Sequence, residues 1–362
     1  MTRSANGIDF WRGVALITIF VNHVPGIYFE HVTHRNFSIS DSADLFVFLA
    51  GWAVAIVVTR SQPPLPPARI ISRLGGRALV IYAAHILIVM LAIGLLAASA
   101  RLLESPLLLE WHNAASVFYN PADTHIGLVL LTHHLGYFDI LPLYVVLMLI
   151  APLVALIDRY LPHLLLPFSL TIYVVVLSYQ INLPSWPNNG QWFFNPLAWQ
   201  LTFVLGYVLC QDRGIGHYAR SNIDVIRIAS VPIVLAGALA VWYDYWPDPT
   251  NVPEPQLLFL NYKTYATPMR IIQFLALAAL MSAAFPHIHK VLPWLARFCS
   301  MLGRNSLNVF CVSSILSLVG QILRFAAKGS VAVDTLIFVV GIAALGLTAW
   351  ISEWHERTKR PA

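Results

Sequence analysis

The sequence is poor in charged residues. Only 11% of its 362 residues are Asp, Glu, Lys or Arg, whereas 58% are hydrophobic. A soluble domain carries about a quarter charged residues, because water has to solvate its surface. The scarcity of charge therefore excludes a soluble globular protein and predicts an integral membrane protein.

Cysteine pairs and metal-binding patterns are also lacking. The chain has three cysteines and no C-x-x-C spacing, so we expect neither a disulfide framework nor a cysteine-ligated metal. Histidines are more numerous, at 13, but none stands in the H-E-x-x-H spacing that supplies metal ligands. The sequence predicts no metal cofactor.

Three further signals are absent. No small-residue cleavage site follows the first apolar segment, so we expect that segment to be retained. No internal repeat of the kind found in many transporters is visible. The formal net charge of +5 comes from basic residues dispersed over several loops, which argues against nucleic acid as a partner.

Long apolar segments recur along the whole chain. A helix needs ~20 residues to cross ~30 Å of hydrocarbon, and ten segments meet or approach this length. We therefore predict an all-α polytopic membrane protein with about ten transmembrane helices, and residues 1–362 as a single integral membrane domain. The predicted spans are 8–29, 42–59, 76–99, 137–157, 162–181, 195–211, 225–243, 266–285, 304–323 and 333–352.

The basic residues predict the orientation of the chain, because Lys and Arg beside membrane helices stay on the cytoplasmic side. A cytoplasmic N-terminus places most of the 22 Lys and Arg inside, among them Arg3, Lys359 and Arg360, and both termini are then cytoplasmic. The exceptions on the outer side are Arg35, Arg101, Lys263, Arg270, Arg324 and Lys328.

Two ionisable residues interrupt the first apolar segment, RGVALITIFVNH. Arg12 and His23 are eleven residues apart, which is close to three helical turns, so both lie on one face and about 16 Å apart along the axis. Ionisable groups at such depth are costly and usually functional, although Arg12 could snorkel and His23 could be a packing residue. Asn22, a candidate for substrate binding, and Pro25 beside Gly26 indicate that the helix loosens next to a cavity.

The R-x10-H pattern resembles the signature of the type-3 membrane acyltransferase superfamily. Further blocks, spread over essentially the whole chain, resemble the OpgC branch, which succinylates osmoregulated periplasmic glucans. These blocks are IDFWRGVALITIFVNHVPG, RNFSISDSADLFVFLAGW, YFDILPLYVVLMLIAPL, NPLAWQLTFVLGYVL and LGRNSLNVFCV. The resemblance implies a bacterial inner membrane enzyme that uses cytoplasmic succinyl-CoA, and no metal, to acylate a periplasmic glucan.

A neutral imidazole at His23 suits this chemistry, because it can take a proton from a sugar hydroxyl that attacks a thioester. Asp41 and Asp44, at the outer start of the second helix, are further catalytic candidates that would orient the imidazole. Both are equally candidates for helix caps. Asp139 is a candidate acceptor-binding residue or a cap. Trp192, in NLPSWPNNGQWFF, is a candidate sugar-binding residue or part of an interfacial aromatic belt.

Arginines on the cytoplasmic side are candidates for binding the phosphates of coenzyme A. Arg69, Arg73 and Arg77 recur every four residues and would form one basic stripe leading into the third helix, and Arg12 is a further candidate. Arg304 is predicted to open the ninth helix, whose free N–H groups attract anions. The alternative for each arginine is that it only follows the positive-inside rule.

Other functions remain open from the sequence. One alternative is an O-acetyltransferase of another surface polysaccharide or glycolipid. Another is a transporter for a small anion or sugar, with His23 as a proton relay. The expected partners are the acyl-CoA, the glucan and the lipid bilayer. The sequence leaves open whether transfer passes through an acyl-histidine and whether the chain forms a homodimer.

Overall fold

The computed structural model describes residues 5–61 and 63–358, so Arg3, Lys359 and Arg360 lie outside the described residues. Within these ranges the protein is all-α, apart from a short hairpin of β1 (Pro184–Ser185) and β2 (Gly190–Gln191). The helices are α1 (Gly7–Asn22), α2 (Ser42–Thr59), α3 (Pro67–Leu102), α4 (Ala115–Tyr119), α5 (Pro121–Val129), α6 (Ile140–Tyr160), α7 (Pro162–Tyr179), α8 (Pro196–Cys210), α9 (Gly214–Ser221), α10 (Ile223–Trp242), α11 (Pro268–Met281), α12 (Ala284–Val291), α13 (Pro293–Arg304), α14 (Ser306–Ala326) and α15 (Val331–Thr358).

Seven of these helices are long and apolar enough to cross a membrane: α2, α3, α6, α7, α10, α14 and α15. The number becomes eight if α11 and α12, which are bent by 43° relative to each other, form one broken span. The predicted all-α class is therefore confirmed. The predicted count of about ten is not, because α1 and α8 have only 16 and 15 residues.

Several predicted boundaries were wrong. The first helix was expected to reach residue 29, but it ends at Asn22, because Pro25 and the left-handed Gly26 (φ +76°) follow at once. The third helix begins at Pro67 instead of residue 76, since proline suits the first helical position. Arg304 does not open a helix: it ends α13, which was not predicted, and α14 begins at Ser306.

The short helices α1 and α8 lie in the interior of the protein. The fully buried side chains of the core include Leu16 and Phe20 on α1, Trp199 and Phe203 on α8, and Phe310 on α14. By contrast, long helices expose apolar side chains outward, such as α3, α10 and α15. An inner helix of about 24 Å is shorter than the ~30 Å hydrocarbon core, which is tolerated because protein surrounds its ends.

Glycines allow the inner helices to approach closely. A Cβ atom on Gly51 of α2 would lie 1.8 Å from the carbonyl oxygen of Phe203, and one on Gly206 of α8 would lie 1.9 Å from that of Phe48. Each helix thus places a glycine against the backbone of the other, as is typical of tightly packed membrane helices. The α1–α13 contact is built in the same way, through Gly13 and Gly303.

We expect Gly206→Val to destabilise the protein by more than the ~1–3 kcal/mol of ordinary overpacking, because the added atoms collide with backbone. The measurement is the yield of monodisperse protein by size-exclusion chromatography after solubilisation. Gly94→Val on α3 is the matched control, since a Cβ atom there meets no atom within 4 Å. Equal yields of the two variants would contradict the close α2–α8 packing.

Candidate active site

The end of α1 opens into a cavity. The amide of His23 donates the last helical hydrogen bond, to the carbonyl of Ile19 at 2.9 Å, and the chain then turns away at Pro25. His23 lines a cavity of about 650 Å³, which also touches the starts of α2 and α6 and the buried Arg270 of α11. The cavity lies on the predicted outer side, so the structure agrees with the cavity expected beside His23.

The described residues hold His23 through its backbone and through a ring contact, not through hydrogen bonds to its ring nitrogens. Its carbonyl accepts a hydrogen bond of 2.6 Å from the side-chain amide of Gln321 on α14. The ring of Tyr137 lies 4.7 Å from the imidazole, centroid to centroid. The buried Nδ1 atom has no hydrogen-bond partner among the described residues. The imidazole is therefore positioned while this buried nitrogen keeps its hydrogen-bonding capacity unused among the described residues.

Asp44 forms a buried ion pair with Arg270. The guanidinium donates to both carboxylate oxygens of Asp44, at 3.1 and 2.7 Å, and the two side chains are only 1% and 5% exposed. Asp44 also accepts a hydrogen bond from the amide of Asp41 at 2.9 Å, as part of a capping box. Of the two roles that the sequence left open for Asp44, the structure shows the cap at the start of α2, and the same carboxylate binds Arg270.

Asp41 caps α2 and binds two cations. Its side chain accepts a hydrogen bond from the amide of Ala43 at 2.8 Å, and Lys263 and Arg270 lie 2.6 and 2.9 Å from its other oxygen. Burial alone would raise the pKa of the Asp41 carboxyl, but these two cations outweigh it and hold its pKa well below the usual range. Asp41 lines the His23 cavity as a paired carboxylate, and no hydrogen bond joins it to the imidazole.

A second residue of α11 fixes the chain just before α2. The side-chain oxygen of Gln273 accepts hydrogen bonds from the hydroxyls of Ser38 and Ser40, at 3.0 and 2.9 Å. One turn earlier, Arg270 donates to the carbonyl of Ile39 at 2.9 Å. Ser38, Ile39 and Ser40 all line the cavity, so α11 determines the position of this wall.

Two of the three predicted substrate-binding residues line the cavity. The side chain of Asn22 accepts a hydrogen bond from the Thr33 hydroxyl at 2.8 Å, which ties the end of α1 to the loop that follows. Asp139 precedes α6, yet its carboxylate makes no capping hydrogen bond. Asp139 is therefore placed to meet a ligand in the cavity.

Trp192, the third predicted substrate-binding residue, is not part of the cavity wall. Its side chain is buried, and its ring packs edge-on against His134 at 4.4 Å. The next two residues, Phe193 and Phe194, line the cavity instead. The loop was correctly placed near the site, but the aromatic side chains that reach the cavity are its neighbours.

The predicted coenzyme A ligands lie apart from this cavity. Arg12 donates to the carbonyl of Leu49 on α2 at 3.1 Å and lies 3.6 Å from the carboxylate of Asp9, and its side chain is 14% exposed. Arg69, Arg73 and Arg77 are exposed on the first turns of α3, where their guanidinium groups make no hydrogen bond or ion pair with a described residue.

Arg304 is already neutralised. Its guanidinium donates two hydrogen bonds to one carboxylate oxygen of Glu353 on α15, at 2.8 and 2.6 Å. Arg304 is the last residue of α13 and directly precedes Asn305, the N-cap of α14. The Glu353 carboxylate thus occupies the guanidinium that was predicted to bind a phosphate.

Sequence analysis did not assign a role to the cations of the cavity, Arg35, Lys263 and Arg270. A signal for them was present, because all three belong to the small set of basic residues on the predicted outer side. Basic residues that depart from the positive-inside rule need another reason to be there, such as a buried carboxylate or an anionic ligand.

The fold and the site together define a helical membrane protein in which an inner helix ends at a cavity with an imidazole, carboxylates and cations. The sequence profile of the OpgC protein family matches residues 3–357, so the chain belongs to this family, as the resemblance predicted. Membership points to an acyltransferase of glucan modification. No curated protein and no solved structure matches the chain.

We expect Arg270→Met to lower the free energy of unfolding by ~3–5 kcal/mol, because it leaves the Asp44 carboxylate buried without its counter-ion. The measurement is the thermal unfolding midpoint of the purified protein. Asp44→Asn combined with Arg270→Met is expected to recover much of the loss, since no unpaired charge then remains. Arg101→Met, at an exposed outer arginine, is the control. A double variant as unstable as Arg270→Met alone would contradict this account.

Proposed function

We propose that the protein is a transmembrane O-acyltransferase that moves a succinyl group from cytoplasmic succinyl-CoA to a hydroxyl of a periplasmic glucan. The observation that carries this proposal is the position of His23, at the broken end of an inner helix and in the wall of a polar outer cavity. Family membership supports the acyltransferase class. The identity of the donor, the identity of the acceptor and the role of His23 go beyond family membership and are proposed.

In the proposed step, His23 is the general base. The imidazole takes the proton of a glucan hydroxyl while the hydroxyl oxygen forms a bond to the thioester carbonyl carbon. The carbon–sulfur bond then breaks. The imidazolium gives its proton to the sulfur, and coenzyme A leaves as the thiol. The free Nδ1 atom supports this role, because no described side chain competes for that nitrogen.

Asp139 and Asn22 are proposed to bind the acceptor. Asp139 lines the cavity without a capping hydrogen bond, so its carboxylate is available to a sugar hydroxyl. Asn22 lies next to His23 on the same wall. Asp41 and Asp44 act differently in this proposal: they hold Arg270 and Lys263, and so they position the cavity wall.

The nucleotide of the donor is proposed to bind Arg12 and the arginines of α3. Arg69, Arg73 and Arg77 support this role because they are exposed and unpaired among the described residues. Their spacing of four residues puts them on one helical face, where guanidinium groups can contact several phosphates. Arg304 is left out of the proposed set, because Glu353 binds it at 2.6 Å, whereas the ion pair of Arg12 with Asp9 is longer, at 3.6 Å.

The cavity also supports a dicarboxylic donor over acetyl-CoA. A succinyl group carries a second carboxylate, which needs a cation once its thioester has reached His23. Lys263 and Arg270 already form ion pairs with Asp41 and Asp44. Arg35 also lines the cavity, and it has no ion-pair partner among the residues described. Arg35 is therefore proposed to bind the distal carboxylate.

We expect His23→Gln to lower acyl transfer ~10²–10⁴-fold, the usual contribution of a general base, with unchanged yield of folded protein. The measurement is the mass profile of periplasmic glucans in a host without its own modifying enzyme. His163→Gln, at an exposed histidine of α7, is the control. Succinyl increments at the normal level in His23→Gln would refute the base. Acetyl increments with the wild type would show that the donor was misassigned.

We expect Arg35→Gln to lower succinyl transfer roughly tenfold, because a charge-assisted hydrogen bond to the distal carboxylate is lost. Any slow transfer from acetyl-CoA should stay unchanged, since the acetyl group has no second carboxylate. The measurement is the ratio of the two rates in membranes supplied with each donor. Arg101→Gln is the matched control on the outer side. Equal losses with both donors would place Arg35 outside the donor site.

A further inference from the structure

A second cavity lies on the other side of Tyr137 from His23. Its volume is about 740 Å³, and Tyr137 lines both cavities. The remaining wall comes from four parts of the chain: Pro25 after α1, Trp111 and His112 in a 3₁₀ segment (Pro106–Asn113), Gln321, Arg324 and Phe325 on α14, and Lys328 and Gly329 just after α14. Its size falls within the range of small-molecule sites, about 300–1,000 Å³.

A row of aromatic rings connects the two cavities. Between neighbouring ring centroids the distance is 4.7 Å from His23 to Tyr137, 5.2 Å from Tyr137 to His112, and 6.0 Å from His112 to Trp111. Phe325 then lies 5.5 Å from Trp111. The row therefore leads from the proposed general base into the second cavity without a gap.

Two members of this row are held in an unusual backbone conformation. Tyr137 and His112 have φ values of +67° and +57°, in the left-handed region that side chains other than glycine seldom adopt. The 3₁₀ segment is fixed there because the carbonyl of His112 accepts a hydrogen bond from the amide of Gly136 at 2.8 Å. Strained positions of this kind persist where the placement of a side chain matters to function.

Gln321 couples the two cavities. Its side-chain oxygen lies 2.6 Å from Nε2 of His112, and its side-chain nitrogen donates to the carbonyl of His23 at 2.6 Å. One amide therefore fixes a ring of the second cavity relative to the end of α1. A ligand that spans both cavities would meet walls with a fixed separation.

The polar groups of the second cavity are few and partly free. Arg324 is occupied, since it binds Asp334 at 2.6 Å and the carbonyl of Pro25 at 3.0 Å. The hydroxyl of Tyr137 and the ammonium group of Lys328 make no hydrogen bond with a described residue. Flat aromatic faces beside a small number of free polar groups suit a sugar ring, which has apolar faces and hydroxyls at its edges.

We propose that the second cavity binds a further part of the acceptor glucan, next to the sugar unit whose hydroxyl is acylated at His23. Trp111 provides the main stacking surface, and Tyr137 separates the two sugar-binding positions. This inference rests on the proposed function for the identity of the acceptor. The protein is then expected to prefer oligosaccharide acceptors over single sugars. This preference is set by a site that takes no part in the chemical step.

The first test is direct binding, which does not depend on acyl transfer. The wild-type protein in lipid nanodiscs is titrated with glucose and with a linear gluco-oligosaccharide, and binding is followed by saturation-transfer NMR. Nanodiscs are preferred because glycoside detergents compete for a sugar site. We expect the oligosaccharide to bind more tightly than glucose, and Trp111→Ala to weaken its binding about two- to tenfold, the size of an aromatic contact.

Two variants control for structure. Tyr119→Ala removes an exposed aromatic side chain from the same outer segment, outside both cavities, and should leave oligosaccharide binding unchanged. Trp111→Phe keeps an aromatic face and should restore most of the binding that Trp111→Ala loses. A bound oligosaccharide that is indifferent to Trp111→Ala would overturn the second site, as would a phospholipid that copurifies and that the sugar does not displace.

The second test is acyl transfer to acceptors of different length. Trp111→Ala should lower kcat/KM for the long acceptor about two- to tenfold through KM, and leave kcat/KM for glucose, which fills only the position beside His23, unchanged. A fall in kcat for both acceptors would overturn the proposal, because it would place Trp111 at the chemical step. If the wild type transfers no acyl group yet binds the oligosaccharide through Trp111, the proposed function fails while the binding site stands.

Discussion

The ion pair between Arg270 and Asp44 is the interaction on which the outer half of the protein depends. Both side chains are almost fully removed from solvent, and the desolvation of two such charges is repaid only by well-aligned hydrogen bonds. Arg270 meets this condition by donating to Asp44, Asp41 and the carbonyl of Ile39. A single guanidinium thereby attaches α11 to the start of α2 and to the cavity wall between them.

This anchor allows α1 to end early. A helix that stops inside a membrane leaves carbonyl groups unpaired, which is tolerated only where protein or water satisfies them. The carbonyl of His23 is satisfied by Gln321, and the following loop leads into the segment that Arg270 and Gln273 hold. The same arrangement thus fixes the backbone of His23 and leaves Nδ1 of its imidazole without a hydrogen-bond partner among the described residues. The proposed role of His23 as a base for two substrates would benefit from both.

Local patterns in the sequence predicted part of this structure well. The second helix matches its predicted span, and the proline and glycine after His23 indicated a loosened helix beside a cavity, although the helix was expected to continue to residue 29. The α13 helix was missed because it is short and amphipathic, so it does not appear as an apolar run. The role of Asp44 was missed for a different reason. Its partner lies 226 residues away in the sequence, and no periodicity encodes a pairing between distant helices.

The two cavities have one feature of charge in common: basic residues that were predicted on the outer side line both of them. Of the six basic residues predicted on the outer side, Arg35, Lys263 and Arg270 line the first cavity, and Arg324 and Lys328 line the second. Carboxylates of the protein bind Lys263, Arg270 and Arg324, which explains why these cations are stable in the interior. Arg35 and Lys328 have no such partner among the described residues, so each cavity keeps one cation that no described carboxylate binds. The exceptions to the positive-inside rule therefore mark the same two places that the cavity geometry and the aromatic row identify independently.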